Sequence, residues 1–204
     1  MNIGLYGGSF DPIHRGHVEP VLEARRVAAL DRVVYLPTAR PPHKLDRQLI
    51  SAQARFTMVE LALLDHPSLE VSDFEMGEAA PAYTVETLEH FHRPEHRLHL
   101  IVGADSFMQL DRWVRWRDIL KLARLVVLTR PEWTPDRDAL APELRRLIDR
   151  DEVVLVPNRP ITASSTEIRH RLSHGQSLPE SWLAPAVLKY IEKYGFYGSR
   201  RSVP

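Results

Sequence analysis

The N-terminal stretch constrains the fold more than any other part of the sequence. Residues 3–6 form a short apolar run without charges that leads into two glycines, a pattern typical of a buried strand that stops and turns. Apolar residues recur at helical spacing from His17 onward, with Pro20 expected in the first turn of that helix. The β-branched run at Arg32–Pro37 predicts a second strand. Strand, helix and strand in this order predict a right-handed crossover between two parallel strands.

The same alternation of short apolar runs and helical patterns continues along the chain. Further strands are expected at 69–72, 97–102, 125–129 and 152–156, and further helices at 51–64, 85–91, 110–122, 136–150, 165–174 and 186–194. This order predicts an α/β fold: a doubly wound parallel sheet of about five or six strands, with helices on both faces and a small helical C-terminal part. We expect one domain over residues 1–204, with a mobile tail at 198–204.

Charge and cysteine content exclude several classes of protein. Lys plus Arg and Asp plus Glu number 27 each, whereas a general nucleic-acid binder carries a basic surplus. The chain has no cysteine, which excludes disulfides and thiolate metal sites and is compatible with a reducing cytosol. The N-terminus lacks a secretory pattern, and no apolar run reaches membrane length. We therefore expect a soluble cytoplasmic protein without a nucleic-acid or membrane partner; its oligomeric state, a homo-oligomer included, stays open.

The turn after the first strand is suited to phosphate binding. Gly7 and Gly8 let the backbone approach a ligand closely, and the helix start that follows offers free N–H groups and positive potential. His14 and His17 would add donors aimed at the same anion. The alternative for this motif taken alone is a plain strand-to-helix turn with two surface histidines.

A second helix start of similar character lies near the other end of the chain. Ser164 and Glu167 predict a capping box at this start. Ser165 and Thr166 add hydroxyl groups there, and Arg169 follows one turn into the helix. Together these groups predict a second anion site, with a capped helix and a solvated arginine as the alternative.

Other polar residues follow the predicted strands at their carboxyl ends, where parallel sheets bind ligands. Lys44 lies in a basic, proline-rich loop after the second strand, and it would either be solvated or bind a substrate phosphate. Gly103 and Asp105 follow the strand at 97–102, where Asp105 would accept hydrogen bonds from a ribose or cap the next helix. Arg130 follows the strand at 125–129 and faces the same side.

The helices between the strands are expected to be mostly structural. On the helix at 51–64, Arg55 and Glu60 are expected to face outward or to pair locally. Thr84 is expected to cap the helix at 85–91, where the same helix end would also receive a carboxylate. Trp113 and Trp116 are three apart and are expected on one helix face, either packed in the core or with one ring stacked on a heteroaromatic base.

Seven motifs follow one another along nearly the whole chain. They are the turn at 7–17 with its His-x-Gly-His core, Pro-Pro-His-Lys at 41–44, Pro-Ala-Tyr-Thr at 81–84, Gly-Ala-Asp at 103–105, Trp113, Arg-Pro at 130–131 and Ser-Ser-Thr-Glu-Ile-Arg at 164–169. In this order they resemble the motifs of bacterial nicotinate-mononucleotide adenylyltransferases. The chain departs from that pattern at Val114, where the family often has a second aromatic residue, and at Glu132, where it usually has glycine.

The resemblance implies a Rossmann-like nucleotidyltransferase that moves AMP from ATP to nicotinate mononucleotide, giving deamido-NAD and pyrophosphate, with Mg²⁺ carried on the ATP phosphates. It implies that ATP is bound by Gly8, Ser9, Phe10, His14, His17, Gly103, Asp105, Ser165, Thr166 and Arg169. Of these, His14, His17 and Arg169 would be catalytic. It implies that nicotinate mononucleotide is bound by Lys44, Tyr83, Thr84, Trp113 and Arg130.

The implied nucleophile is a phosphate oxygen that is already anionic, so the reaction needs no general base. Catalysis would then come from alignment and charge neutralisation during in-line attack, without a covalent enzyme intermediate. Related acceptors are the nearest alternatives, either nicotinamide mononucleotide or phosphopantetheine. A dinucleotide-dependent dehydrogenase is disfavoured because the first turn lacks Gly-x-Gly-x-x-Gly, and a non-catalytic nucleotide-binding regulator would not need both histidines and Arg169 together.

Overall fold

A computed structural model describes residues 1–39, 49–77, 82–130 and 133–199, and its six strands form one parallel sheet. Within these ranges the strands are β1 (Asn2–Gly8), β2 (Arg32–Pro37), β3 (Leu69–Val71), β4 (Arg97–Gly103), β5 (Ala123–Thr129) and β6 (Val154–Pro157). The helices are α1 (Arg15–Val27), α2 (Ala52–Leu63), α3 (Thr84–Phe91), α4 (Ala104–Phe107), α5 (Trp116–Leu122), α6 (Pro142–Asp149), α7 (Ser165–Ser173) and α8 (Pro185–Tyr194). Short 3₁₀ helices lie at Phe74–Met76, Leu110–Arg112 and Phe196–Gly198.

The strand order β3-β2-β1-β4-β5-β6 places a change of direction in the middle of the sheet. The chain runs outward from β1 to β3, returns to the centre and then runs outward the other way from β4 to β6. Ile3 of β1 pairs with Arg32 of β2 on one side and with Leu98 of β4 on the other. The carboxyl ends of β1 and β4 therefore flank the crevice in which sheets of this topology bind ligands.

Side-chain alternation along the strands supplies a core on each face of the sheet. In β2, Val33 and Tyr35 join one core, while Val34 and Leu36 join the other. Helices α1, α2, α7 and α8 cover the first core, and α3, α5 and α6 cover the second. The predicted doubly wound α/β fold with helices on both faces is confirmed.

The first helix begins earlier than the apolar pattern predicts. Its first residue is Arg15, because His14 caps it, and Pro20 therefore lies inside the helix and not in its first turn. Pro20 is buried, and it lacks the N–H that would donate to the carbonyl oxygen of Gly16. The capping by a histidine explains why a search for the usual Ser, Thr, Asp or Asn cap misses this boundary.

The helix expected at 110–122 is interrupted. Trp113 has extended backbone angles after the 3₁₀ turn, and Arg115 adopts a left-handed conformation (φ 52°, ψ 36°) immediately before α5. The expectation that Trp113 and Trp116 share one helix face is therefore wrong. Trp116 is buried in the core, whereas Trp113 is left half-buried beside a cavity.

The helix expected at 136–150 is shorter than its charge pattern suggests. It begins at Pro142, and the preceding chain forms a local turn in which the Asp136 carboxylate accepts N–H groups from Asp138 and Ala139. Such side-chain bonds to the nearby backbone compete with helix formation.

The C-terminal segment is tied to the body of the protein as far as it is described. The Ser199 hydroxyl donates to the Ile191 carbonyl oxygen (3.1 Å). Residues 200–204 lie outside the described ranges, so the mobility expected for the tail stays a prediction. No helix in the described ranges is long and apolar enough to span a membrane.

Candidate active site

The His-x-Gly-His motif folds into a turn in which each histidine caps the start of α1. The Gly16 N–H donates to His14 Nδ1 (3.0 Å), and the His14 N–H donates to His17 Nδ1 (3.3 Å). Because both Nδ1 atoms accept, the proton of each neutral ring lies on Nε2. The turn therefore fixes both tautomers so that Nε2–H can donate to an anion.

Burial keeps His14 neutral. Its ring is mostly enclosed, and desolvation lowers the pKa of His14 to about 4. At neutral pH His14 thus offers an anion a neutral N–H donor in place of a cation. The two rings lie side by side with their centroids 3.9 Å apart, so they present neighbouring surfaces to one ligand.

Two glycines in this region are required by close approach. A Cβ on Gly16 would lie 2.9 Å from Cε1 of His14, and a Cβ on Gly8 would lie 2.8 Å from the ring of Phe10. Both distances are shorter than real side chains allow. The glycine between the histidines is therefore the residue that lets the His14 ring fold back over its own helix start.

The buried side chain of Phe10 packs against the turn. Its backbone is left-handed (φ 45°), its side chain is 1% exposed, and its ring packs edge-on against His17 with the centroids 5.3 Å apart. The Phe10 side chain therefore belongs to the core, and the ATP contact implied for Phe10 stays a prediction. Only its backbone is left for a nucleotide contact.

The start of α7 lies against the same turn, so the two predicted anion sites are neighbours. The Ser165 hydroxyl donates to the carbonyl oxygen of Pro12 (3.0 Å), and Nη1 of Arg169 donates to the carbonyl oxygen of Asp11. A second guanidinium nitrogen, Nη2 of Arg169, donates to the Thr166 hydroxyl (3.2 Å). The structure thus brings together residues that are about 150 positions apart in the chain.

The predicted capping box at α7 forms only in part. The Ser164 hydroxyl accepts the N–H of Glu167 (3.2 Å). The Glu167 carboxylate pairs with Arg171 one turn later (2.7 Å), on the exposed side of the helix.

Asp11 is a site residue that the sequence analysis did not single out. Its buried carboxylate accepts from the Tyr197 hydroxyl (2.8 Å) and lies 3.6 Å from the guanidinium of Arg169. It therefore ties the turn to both α7 and the C-terminal 3₁₀ helix. No local signal identified it, because both of its partners are more than 150 residues away.

A cavity of about 540 Å³ opens at the carboxyl ends of β1 and β4, at the change of direction in the sheet. Six of the predicted site residues line it: Gly8, Ser9, Tyr83, Thr84, Gly103 and Trp113. It is also lined by Thr38, Glu75, Thr87, Arg112 and Val114. The turn at 7–17, called the phosphate turn below, borders this cavity through Gly8 and Ser9, while His14 and His17 lie beyond that border.

One wall of the cavity is the start of α3. Thr84 is the first residue of this helix and not its cap, because Tyr83 occupies the cap position without a capping side-chain bond. The first turn of α3, whose N–H groups have no partner within the helix, thus lies at the cavity wall. That arrangement suits a carboxylate.

Trp113, Val114 and Arg112 also line the cavity. Trp113 supplies an aromatic face, and Val114 stands where a second aromatic ring would widen that face. Arg112 is exposed, and it has no carboxylate partner in the described part of the chain. It is a cation at the cavity wall that the sequence analysis missed, since one arginine beside a tryptophan carries no pattern.

Asp105 and Arg130, which follow β4 and β5, do not line the cavity. Asp105 is exposed in the first turn of α4, and Gly103 occupies the cap position of that helix, so Asp105 is not a cap. Arg130 is exposed beyond the end of β5 and does not line the cavity. Lys44 falls within residues 40–48, outside the described ranges.

Two buried charged residues are the largest surprise near the site. Arg55 was expected to face outward or to pair locally, but it is 1% exposed and donates to the carbonyl oxygens of Ser9 and Thr38, so that expectation is wrong. Met58 and Val59, three and four positions later, are also buried, and this spacing is the signal that could have placed Arg55 on the inner face. Glu75 lies buried in the cavity wall, in a short 3₁₀ helix without a sequence signature.

The donor set does not form a protein metal cage. Among the described residues, no three His, Cys, Asp or Glu side chains are grouped to hold a metal ion.

Comparison with known proteins places this architecture in a family. The model of a cytidylyltransferase-like family matches residues 5–171. A protein of Thermus thermophilus named a probable nicotinate-nucleotide adenylyltransferase is 40% identical, over 97% of this chain and 100% of the relative. A protein of the same name from Desulfatibacillum aliphaticivorans is 34% identical, also over 97% of this chain and 100% of the relative.

Solved structures show the same fold. The Plasmodium falciparum nicotinic acid mononucleotide adenylyltransferase complexed with NaAD has a TM-score of 0.73 at 17% identity, covering 98% of both chains. The same enzyme complexed with APC has a TM-score of 0.74. Given the family match and the full-length relatives, this chain is a nucleotidyltransferase that belongs to the nicotinate-nucleotide adenylyltransferases of the cytidylyltransferase-like family.

Proposed function

We propose that this chain transfers the adenylyl group of ATP to nicotinate mononucleotide, giving deamido-NAD and pyrophosphate in NAD biosynthesis. One observation carries the proposal: a phosphate turn with two fixed Nε2–H donors borders a cavity with an aromatic wall and a carboxylate-suited helix start. These are the two half-sites that a transfer between two nucleotides needs. They meet where the sheet changes direction.

ATP is assigned to the phosphate turn. Gly8 and Ser9 let the backbone approach the nucleotide, and His14 and His17 donate to the phosphates. The start of α7 adds a second set of donors for the departing pyrophosphate: Ser165, Thr166 and Arg169. In support, α7 is held against the turn by the bond from the Ser165 hydroxyl to Pro12.

The acceptor is assigned to the cavity. The start of α3 with Tyr83 and Thr84 receives the nicotinate carboxylate, and Trp113 stacks on the pyridine ring. Arg112 adds positive charge for an acceptor that carries both a carboxylate and a phosphate. Lys44 and Arg130 as acceptor contacts, and Gly103 and Asp105 at the ATP ribose, are further parts of this proposal.

The transfer proceeds by direct displacement. A phosphate oxygen of nicotinate mononucleotide forms a bond to the α-phosphorus of ATP while the bond from that phosphorus to the bridging oxygen of pyrophosphate breaks. The electron pair of the broken bond stays on pyrophosphate, and no proton moves. His14, His17 and Arg169 stabilise the negative charge that grows on the transferred group and the leaving group.

Mg²⁺ enters this scheme with the substrate. Since no protein cage exists among the described residues, the ion fits the phosphates of ATP better than a site of its own. Bound there, it supplies charge neutralisation on the phosphate oxygens. The chain's part is to orient those phosphates.

We further propose that residues 1–204 act as one nucleotidyltransferase domain in the cytoplasm. Strands from both halves of the chain pair in one sheet, which supports the first point. The cysteine-free composition is compatible with the second.

Two other acceptors would use the same chemistry. Nicotinamide mononucleotide would place a neutral amide at Thr84, and phosphopantetheine would leave Trp113 without a ring to stack on. The test is release of pyrophosphate from Mg·ATP with each acceptor in turn, combined with chromatographic identification of the product. We expect the highest kcat/KM with nicotinate mononucleotide, and a higher value with either of the others would overturn the assignment.

A further inference from the structure

Arg55 lies inside the protein although it carries a positive charge. Its guanidinium donates to four carbonyl oxygens: Nη1 to Ser9 (2.6 Å) and Thr38 (2.8 Å), Nη2 to Ala39 (3.2 Å) and Nε to Ile50 (3.2 Å). In the described part of the chain it forms no ion pair with a carboxylate. Carbonyl dipoles therefore solvate this buried charge. Burial lowers the pKa of Arg55, and the charge of the Asp11 carboxylate acts in the opposite direction.

These contacts join the ends of two neighbouring strands. Ser9 lies in the phosphate turn just after β1, and Thr38 and Ala39 follow β2. The carbonyls here have left the strand ladder and need other donors. By binding them together from α2, Arg55 sets the position of the phosphate turn relative to the end of β2.

Glu75 holds the other side of the same strand end. Its Oε2 accepts from the Thr38 hydroxyl (2.6 Å), and its carbonyl oxygen accepts the N–H of Ala39 (3.0 Å). Its Oε1 accepts from the hydroxyl of Thr87 on α3 (2.7 Å). Since Thr87 lies one turn after Thr84, Glu75 sets the position of the helix start to which the nicotinate carboxylate is assigned.

Burial raises the pKa of Glu75, while its two hydroxyl bonds lower it. The carboxyl group is thus desolvated at the cavity wall and held in place by two buried hydroxyls. Arg55 and Glu75 do not form an ion pair with each other; they hold Thr38 between them. Burying an acid and a base that do not form an ion pair with each other costs desolvation free energy, so stability of the strand ends alone does not explain them.

Ser9, Arg55, Thr38, Glu75 and Thr87 together form one chain of hydrogen bonds, called the Arg55–Glu75 network below. It begins in the phosphate turn and ends in α3, and all its members except Arg55 line the cavity. We infer that Arg55 and Glu75 are positioning residues that set the distance between the ATP phosphates and the acceptor phosphate. The inference rests on the proposed function, since it concerns the alignment of those two substrates.

Alignment is where such a network would matter most. In-line displacement needs the attacking oxygen close to the α-phosphorus, and a misplacement of about 1 Å can cost about a hundredfold in rate. Each half-site has its own contacts, so each mononucleotide can bind when the spacing is wrong. Turnover and the binding of the joined product depend on the spacing itself.

The test compares separate and joined ligands in three variants: Arg55→Lys, Glu75→Gln and Thr87→Val. Lysine keeps the charge but lacks the planar fork, glutamine keeps the shape, and valine removes one hydroxyl. For each variant, calorimetry measures the Kd of a non-hydrolysable ATP analogue, of nicotinate mononucleotide and of deamido-NAD, and kcat is measured alongside. We expect each mononucleotide Kd to stay within about threefold of wild type, while kcat and deamido-NAD affinity fall about tenfold or more.

Matched control variants change residues outside the Arg55–Glu75 network. Arg145→Lys changes an arginine of α6 that donates to the Leu140 carbonyl, and Thr129→Val removes a buried hydroxyl that donates to the Val156 carbonyl. Neither residue lines the cavity. Both controls should leave kcat and all three Kd values unchanged, so a general loss of stability cannot imitate the expected split.

Coupling gives a second readout. If the network acts as one unit, the double variant Arg55→Lys/Thr87→Val loses little more kcat than the worse single variant, whereas independent residues give additive losses. Wild-type kcat in the single variants, additive losses, or a drop in deamido-NAD affinity no larger than the combined mononucleotide losses would overturn the inference. If Arg55→Lys does not fold, Glu75→Gln and Thr87→Val carry the test with the same criteria. A wild-type protein that makes no deamido-NAD overturns the proposed function instead.

Discussion

The phosphate turn is built from its own neighbours, whereas the acceptor cavity is assembled from elements spread over the chain. His14 and His17 receive N–H groups from within four residues of themselves. The cavity takes its walls from β1, β2, β4, α3 and the segment around Trp113, and Arg55 and Glu75 hold those parts in register. The turn can therefore be recognised from a short motif, while the cavity depends on long-range packing.

The two regions also use polar groups differently. In the turn, each histidine accepts a backbone N–H at Nδ1, which leaves the ring proton on Nε2. In the cavity wall, the Thr87 hydroxyl donates to the Glu75 carboxylate, so these polar groups bind each other. Changes in the turn should therefore affect the chemical step, and changes at Thr84 and Arg112 should affect acceptor choice. Changes at Glu75 and Thr87 should instead affect the alignment of the two substrates.

His17→Ala tests the chemical side and has the largest expected effect. Loss of one preorganised donor to the developing charge should lower kcat by about a hundredfold or more. Steady-state kinetics measures it, with His17→Asn as the control that can still cap the turn. A folded His17→Ala variant with near wild-type kcat would remove His17 from the catalytic residues.

His14 makes a pH-dependent contribution to stability. Its folded pKa of about 4 lies below an unfolded value of about 6.5, so between these values the unfolded state binds more protons. Stability is fully present above pH 6.5 and falls as the pH drops, by roughly 2 kcal/mol between pH 6.5 and 5. Denaturant unfolding of wild type and His14→Asn over this range should show a steeper loss in the wild type, and parallel curves would contradict the assigned burial effect.

Gly103→Val tests ligand binding in the cavity and should leave the stability of the fold unchanged. A Cβ at Gly103 meets no atom within 4 Å, and its backbone is not left-handed, so the folded protein should keep its stability. The added side chain would instead enter the space assigned to a nucleotide and weaken binding by about tenfold. Thermal unfolding and ligand titration together check this, and unchanged affinity for both substrates would place the nucleotides elsewhere.

Thr84→Val and Arg112→Gln test acceptor choice, with the smallest expected effect. Each should reduce the preference for nicotinate over nicotinamide mononucleotide by several-fold, less than the tenfold or more of a fully formed charged hydrogen bond (about 1.5–3 kcal/mol), because other donors at the helix start remain. The measurement is the ratio of kcat/KM for the two acceptors. If wild type had the same kcat/KM for nicotinate and nicotinamide mononucleotide, this would count against a carboxylate site at Thr84.

Local sequence patterns were enough to predict the strands and the two helix starts suited to phosphate. The six strands follow apolar β-branched runs, and the two phosphate-suited helix starts were expected where α1 and α7 begin. Sequence did not reveal that Ser165 and Pro12 touch, because that contact spans 153 positions. It follows from the sheet order, which places both helices on the same face.

The errors share a physical cause, namely side chains whose role depends on a distant partner. Arg55 was expected outside because an arginine is rarely buried, but four carbonyls at the ends of other elements solvate it. Trp113 leaves its helix because Arg115 turns left-handed, which no periodicity predicts. Glu75 had no signal at all, since its partners lie just after β2 and on α3.

The stereochemistry at the α-phosphorus tests the central claim most directly. ATP made chiral at that phosphorus with sulfur and an oxygen isotope would be turned over with nicotinate mononucleotide, and the configuration of the product would be determined. Direct in-line transfer between two aligned half-sites predicts inversion of configuration. Retention would reveal a covalent enzyme intermediate and contradict catalysis by alignment and charge neutralisation alone.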